Sequence, residues 1–249
     1  MRRFITSILT ILLICIYAQA RTFVLVTGVS NYGNTDMNLS QTTKDAKAFK
    51  RVMETQTKDI TLLTSSNASR ANILSKLKAI CNRAQSSDRI IFYFSGHGMP
   101  GAICTYDKAL TYDDLVATLA TSAAKEKICF IDACHAGTAS QTQKVSATDK
   151  TDKNQLSKAI KGKKDQVFFV GCRGDEYSFE HPWVGAGFFT QAAIKGLRGK
   201  SDSNGDKKIT VKELFKYIYN DVTQRSKQKQ HPQLIAPAEM MDITIARWQ

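Results

Sequence analysis

The sequence predicts an α/β fold, a three-layer αβα sandwich in which helices cover both faces of a mostly parallel sheet. Three observations predict it. Short apolar runs suited to buried strands recur along the chain, among them Ile90-Ile91-Phe92-Tyr93-Phe94 and Ile128-Cys129-Phe130-Ile131. They alternate with longer segments whose apolar residues return at helical spacing, the pattern of a parallel sheet with crossover helices. The chain of 249 residues has no composition break that would divide it past its first twenty residues, and its length suits one domain.

Each element has its own signal. Residues 22–29 read as a first buried strand that begins almost at the expected mature terminus. Residues 40–55 carry Ala46, Phe49, Val52 and Met53 at helical spacing. Residues 60–63 form a short second strand. Ser69 caps a helix to about residue 84, with Ile73, Leu74, Leu77 and Ile80 on one face. Residues 89–94 are the third strand. The capping box Thr111-x-x-Asp114 opens a helix to about residue 123. Residues 127–132 and 166–170 are the fourth and fifth strands. Helices over 187–197 and 211–225 follow, and 241–246 is a candidate edge strand. Residues 138–164 interrupt the alternation, because Val145, Leu156 and Ile160 are their only large apolar residues. That segment reads as a mobile loop with a short helix over 154–160. A loop of this length inside a compact domain is usually functional or disordered.

Residues 1–20 read as a cleaved export signal. Arg2 and Arg3 supply a basic start, residues 4–17 an apolar core, and Ala18-Gln19-Ala20 a cleavage site. The alternative, an uncleaved anchor, needs about 20 apolar residues, more than this core offers. The expectation is a periplasmic or extracellular domain with no stable membrane anchor. The formal net charge is +13. Its lysines are scattered or lie in polar loops, and no basic run interleaved with aromatics marks a nucleic-acid groove. Six cysteines become an odd number once Cys15 leaves with the signal, so at least one thiol stays free in an oxidising compartment. Cys129 and Cys172 read as core residues. Pairing of Cys81 with Cys104 is left open by the sequence.

The chemistry concentrates in Ser95-Gly96-His97-Gly98 and Asp132-Ala133-Cys134-His135-Ala136-Gly137. Each follows a strand-like run. Two parallel strands joined by one helical crossover place their carboxyl ends on one edge of the sheet, where an open α/β sheet holds its ligands. His97 and Cys134 can therefore meet. A free thiol is only a few per cent thiolate at neutral pH, and an adjacent imidazole can take its proton. Gly96 and Gly98 let the backbone turn closely around His97. The backbone N–H groups of Gly98 and Cys134 are candidates for an oxyanion hole. His135 is next to the cysteine, but adjacent residues of an extended turn point apart. Zinc held by Cys134, His135 and His97 is a further alternative, without the ligand spacing that marks such sites.

At these residues the chain resembles the caspase-like cysteine peptidases, particularly bacterial metacaspase-like members. Asp132-Ala133-Cys134-His135-Ala136-Gly137 stands close to the metacaspase form Asp-x-Cys-His-Ser-Gly, with Ala136 in place of the serine. Phe94-Ser95-Gly96-His97-Gly98 matches the histidine segment. Gly28-Val29-Ser30-Asn31-Tyr32, Thr43-Lys44-Asp45-Ala46, residues 174–180, Gly187-Phe188-Phe189-Thr190, Gly196-Leu197-Arg198-Gly199 and Gln230-His231-Pro232-Gln233 follow in the family's order. The resemblance implies a caspase-type sandwich and an endopeptidase acting through a Cys134 thioester with His97 as partner. It needs no cofactor, acts on protein or peptide substrates, and is expected to be a monomer.

The resemblance also implies a specificity. Animal caspases accept aspartate with basic groups and a glutamine where this chain has Asp132. An anion there repels an acidic side chain and attracts Arg or Lys. Asp45 matches a second aspartate of the same S1 pocket, and Ser95 borders it. Lys144, Lys150, Lys153, Lys158 and Lys161 follow the cysteine, so an Arg/Lys-specific enzyme could activate itself by cutting there. Residues 202–213 resemble a calcium loop, with Asp202, Asn204, Asp206 and Glu213 as ligands. Lys207 replaces the turn glycine, and Thr210-x-x-Glu213 doubles as a helix capping box. Two other readings remain: a non-catalytic caspase-like interaction module, and a ligase-like transpeptidase that passes the thioester to an amine.

Overall fold

In the computed structural model residues 20–134, 151–171 and 187–248 are described, with the backbone alone for Cys134 and residues 151–155. Residues 1–19, which hold most of the expected export signal, residues 135–150, residues 172–186 and residue 249 lie outside the described residues. The elements run β1 (Thr22–Gly28), α1 (Thr42–Met53), β2 (Ile60–Thr64), α2 (Arg70–Arg83), β3 (Arg89–Met99), β4 (Ala102–Cys104), β5 (Ala109–Thr111), α3 (Tyr112–Ala120), β6 (Glu126–Cys134), α4 (Thr151–Ile160), β7 (Gln166–Val170), α5 (Phe188–Lys195), β8 (Lys208–Thr210), α6 (Val211–Arg225), β9 (Gln233–Ile235) and β10 (Thr244–Arg247).

The main sheet has the order β2-β1-β3-β6-β7-β9. Its first five strands are parallel, and β9 closes the edge antiparallel to β7. Alternation along the strands divides the core in two. Phe23, Leu25, Phe92, Phe94, Cys129 and Ile131 face α2, α3 and α4. Val24, Val26, Ile91, Tyr93, Ile128 and Phe130 face α1, α5 and α6. Ring stacking ties the second layer together, with Phe49 on Tyr93 at 4.2 Å and Phe130 on Phe169 at 4.7 Å between centroids.

Several boundaries differ from the sequence reading. The third strand does not stop at Phe94. It runs through the Ser-Gly-His-Gly segment, because β6 continues beside it and β4 folds back to pair Gly98 with Ile103. The candidate edge strand near residue 244 is not in the main sheet. It pairs antiparallel with β8, while β9 takes the open edge of β7. Gln56 holds β10 there, donating to the Arg247 carbonyl at 2.7 Å and accepting from the Arg247 N–H at 2.9 Å. Within the segment expected as a mobile loop, α4 starts at Thr151 and buries Leu156 and Ile160 against the first core layer. Cys81 and Cys104 are buried free thiols, as is Cys129. Burial raises the Cys81 and Cys104 pKa values, and that of Cys129 more strongly.

The order β2-β1-β3 reverses direction at β1. The crevice between the carboxyl ends of β1 and β3 is thus the topological switch point, where such sheets take ligands. Gly28 makes that crevice compact. A Cβ added there would lie 2.6 Å from both the Ala46 Cβ and the Thr42 carbonyl oxygen. Neither neighbour can move without shifting α1. Replacing Gly28 by alanine should therefore cost about 1–3 kcal/mol through overpacking. A lowered midpoint in urea with an unchanged slope would be the expected result.

Candidate active site

Parallel pairing brings the two sequence motifs together. β3 and β6 stay in register from Arg89 opposite Glu126 to His97 opposite Cys134, with Ser95 opposite Asp132 on the way. His97 and Cys134 are thus nearest neighbours across two strand ends. Gly98, the other candidate oxyanion donor beside Cys134, follows His97 in β3 and pairs with β4.

His97 is held by groups from the segment after β1. Its ring Nε2 lies 2.8 Å from the Met37 carbonyl oxygen. A carbonyl can only accept, so Nε2 carries the proton and Nδ1 is the basic nitrogen. The backbone N–H of His97 donates to the Tyr32 hydroxyl at 2.8 Å, and the two rings lie 5.1 Å apart. Tyr32 in turn donates to the Cys104 carbonyl at 3.4 Å. Gly96 is required by this arrangement: a Cβ there would stand 2.8 Å from the Tyr32 hydroxyl and 2.7 Å from the Phe94 ring. The supporting segment is itself fixed. Tyr32 N–H donates to Asn38 Oδ1 at 2.9 Å, Leu39 N–H to the Ser30 carbonyl at 2.8 Å, and Asn34 caps the short 3-10 turn Thr35–Met37.

Burial lowers the His97 pKa below its ordinary 6.5, and the Met37 carbonyl opposes that by favouring the imidazolium. The net direction is down, so the ring is neutral and basic at neutral pH. The same burial raises the Tyr32 hydroxyl far above its usual range, which keeps it a hydrogen-bond donor.

The acidic residues meet on the other side of the crevice. Asp45 sits in the first turn of α1 and is 2 % exposed, so it is not a surface charge of that helix. Its Oδ2 accepts from the Gly187 N–H at 3.3 Å and from the Ser95 hydroxyl at 3.5 Å. Asp132, 6 % exposed at the end of β6, accepts from the Thr190 hydroxyl at 2.6 Å. A Cβ built on Gly187 would lie 3.0 Å from Asp132 Oδ2 and 3.7 Å from Asp45 Oδ2. Both carboxylates therefore converge on one point at the N-terminus of α5, bordered by the buried Ser95.

A caspase domain matches residues 21–239, nearly everything after the expected signal. The chain belongs to this family. No curated protein sequence matches it. Among solved structures it resembles protein GSU0716 from Geobacter sulfurreducens at 16% identity and TM-score 0.65, covering 90% of this chain and 97% of that one. Caspase-1 from Spodoptera frugiperda superposes equally well, at 16% identity and TM-score 0.65, covering 92% and 91%. A structure of pro-sf-caspase-1 gives 16% identity and TM-score 0.65 with 87% of each chain covered. Likenesses at this identity establish the fold. The family makes the chain a caspase-like cysteine peptidase domain, a hydrolase of protein substrates that calls for no cofactor.

Three supporting groups escaped the sequence reading. Met37 acts through its carbonyl, which any residue would supply. Tyr32 was read only as part of a motif. Thr190 stands far from Asp132 in the chain. Gln230, quoted within a late motif, is fully buried and donates to the Gly171 carbonyl at 2.8 Å, pinning the end of β7 beside Asp132. Cys172 lies outside the described residues.

The loop resembling a calcium site is a self-capped turn. Asp202 accepts from the N–H groups of Gly205 and Lys207, and from Trp248 Nε1. Asn204 accepts from Asp206, and Asp206 from Lys208. Glu213 takes Ser203 on one oxygen and closes the Thr210 capping box with the other. Lys207, with φ of 61°, takes the left-handed conformation in place of a glycine. Among the described residues no group of three or more His, Cys, Asp or Glu side chains is arranged to hold a metal ion.

Two predictions arise from this geometry. Changing Tyr32 to phenylalanine leaves the His97 N–H without its acceptor, at a cost of about 1–3 kcal/mol. Thermal melting should fall accordingly, and cleavage should weaken through misplacement of the imidazole. In NMR, the His97 ring should titrate below pH 6.5, and a midpoint above that value would contradict the burial argument.

Proposed function

We propose that this chain is an exported, metacaspase-like endopeptidase that cleaves after Arg or Lys, with Cys134 as nucleophile and His97 as base. The observation that carries the specificity is the convergence of Asp45 and Asp132, with Ser95, on one buried point beside the His97–Cys134 strand pair. A cationic P1 side chain complements two buried carboxylates, and an acidic one is repelled.

In the reaction, His97 Nδ1 accepts the Cys134 proton. The thiolate adds to the scissile carbonyl carbon, and the oxyanion is received by the backbone N–H groups of Gly98 and Cys134. The imidazolium returns its proton to the leaving amine as the C–N bond breaks, which leaves a thioester. Water, deprotonated by His97, then releases the acid and restores the thiol. The Met37 carbonyl keeps the productive tautomer throughout.

Self-cleavage after the cysteine fits the same specificity. Lys153 and Lys158 are held in α4, a poor substrate conformation, which favours Lys144, Lys150 or Lys161 as the processed site. The Asp202–Glu213 loop is read as a scaffold for α6, with any calcium dependence a property to be measured.

Matched fluorogenic peptides ending in Arg, Lys, Asp or Asn test the reading, with wild type beside Cys134→Ala and Asp132→Asn. Each is assayed before and after limited nicking, with and without calcium. Cysteine-dependent hydrolysis after Arg and Lys is expected. Asp132→Asn should lower kcat/KM on those peptides about 30-fold or more, the usual loss when one partner of a buried charge pair is neutralised. Hydrolysis after Asp or Asn alone would overturn the pocket assignment. Absence of any cleavage, together with no thiol labelling at Cys134, would favour the interaction module. Below pH 6.5, kcat/KM should fall as His97 becomes protonated.

A further inference from the structure

We infer that Tyr93 and Thr190 form a buried hydroxyl relay that fixes the Asp132 carboxylate, which makes Tyr93 and Thr190 positioning residues for recognition of a basic P1 side chain. This inference rests on the S1 reading above and extends it to side chains that no substrate touches.

The donor order follows from the chemistry of each group. An ionised carboxylate only accepts. Thr190 therefore spends its single hydroxyl proton on Asp132 Oδ2, at 2.6 Å. The Tyr93 hydroxyl lies 2.6 Å from the same Thr190 oxygen. With the threonine proton committed, Tyr93 is the donor in that contact. Burial, with the charges of Asp45 and Asp132 adding to it, pushes the Tyr93 phenol well above its ordinary 10, so it remains protonated. The order Tyr93 to Thr190 to Asp132 is thus unique.

The other carboxylate has a separate donor, because Ser95, two residues further along β3, donates to Asp45 Oδ2 at 3.5 Å. The Tyr93 ring cannot swing, because it is fully buried and stacked on Phe49 at 4.2 Å. Thr190 is also fully buried, in the first turn of α5. Neither residue reaches solvent, so neither serves as a direct contact for substrate.

Short, charge-assisted bonds of this kind restrict a carboxylate to one orientation. A pocket that must receive an extended guanidinium or ammonium gains affinity when its acceptor is held in place beforehand. Loss of the relay should therefore weaken binding more than chemistry, and appear in KM.

The test compares Tyr93→Phe, Thr190→Val and Thr190→Ser with Asp132→Asn, on matched Arg and Lys peptides. Thr190→Val removes the hydroxyl at nearly constant shape, whereas Thr190→Ser keeps it. Melting temperature and the rate of Cys134 alkylation report whether fold and nucleophile survive. Tyr93→Phe and Thr190→Val are expected to raise KM roughly tenfold, the scale of one hydrogen bond to a charged group, with kcat within about threefold and alkylation unchanged. Thr190→Ser should restore the wild-type KM. Wild-type KM in both hydroxyl deletions, alongside a large loss in Asp132→Asn, would sink the relay and leave the pocket standing. A Thr190→Ser defect equal to that of Thr190→Val would also overturn it, by assigning the effect to packing. Full Arg and Lys cleavage by Asp132→Asn would overturn the pocket reading and the relay with it.

Discussion

The site depends on the register between β3 and β6. Both strands are apolar on both faces over their central residues, so hydrophobicity alone sets their alignment weakly. A slip of one residue would send each side chain to the opposite layer. The ends of the strands supply what the middle lacks. At one end Arg89 pairs with Glu126, its registered partner. At the other, Ser95 and Asp132 face the α1 and α5 layer, where Thr190 and the Gly187 N–H provide donors near them. A slipped β6 would carry the Asp132 carboxylate into the apolar layer of Phe94, Ile103 and Leu115, without those donors. Burying an unpartnered carboxylate is costly enough to exclude that alignment. The same register that satisfies Asp132 sets Cys134 opposite His97.

The segment after β1 supplies the second constraint. Because β2 and β3 flank β1 on opposite sides, α1 and the chain leading to it cross the carboxyl end of the sheet at the switch point. That crossing brings Tyr32 and Met37 to His97 and Asp45 to Ser95. Its tightness explains why Gly28 and Gly96 cannot carry side chains: α1 presses on one, and the Tyr32 hydroxyl on the other. The glycines are thus consequences of how closely α1 and the Tyr32 segment pack on the ends of β1 and β3.

Much of this was legible in the sequence, and the failures share a cause. The parallel strands, the helices α1, α2 and α6, and the adjacency of His97 and Cys134 followed from apolar runs, helical spacing and one crossover. The family resemblance led to Asp45, Asp132 and Ser95. Properties that depend on distant partners were not legible. β3 outran its apolar run because β4 pairs with it, and β10 joined β8 because β9 had taken the open edge. Thr190 falls within a quoted family motif, but nothing local reveals that its hydroxyl ends between Tyr93 and Asp132. Met37 left no signal at all, because its contribution is a backbone carbonyl.

In the reading proposed above, the two functions of the site rest on different supports. His97 is oriented by Tyr32 and Met37, whereas the carboxylates are oriented by Thr190, Ser95 and the Gly187 N–H. The hydrogen bonds from β3 split accordingly, with Tyr93 and Ser95 directed to the acidic pair and His97 to the loop. Burial lowers the pKa of the imidazole and the Met37 carbonyl opposes that. Changes in α5 act on the carboxylates through Thr190 and the Gly187 N–H, while Tyr32 and the Met37 carbonyl still hold His97. Changes at Tyr32 or the Met37 turn act on the base while Thr190 still holds Asp132. This division gives a physical reason why one scaffold can keep its cysteine and histidine while accepting different P1 side chains.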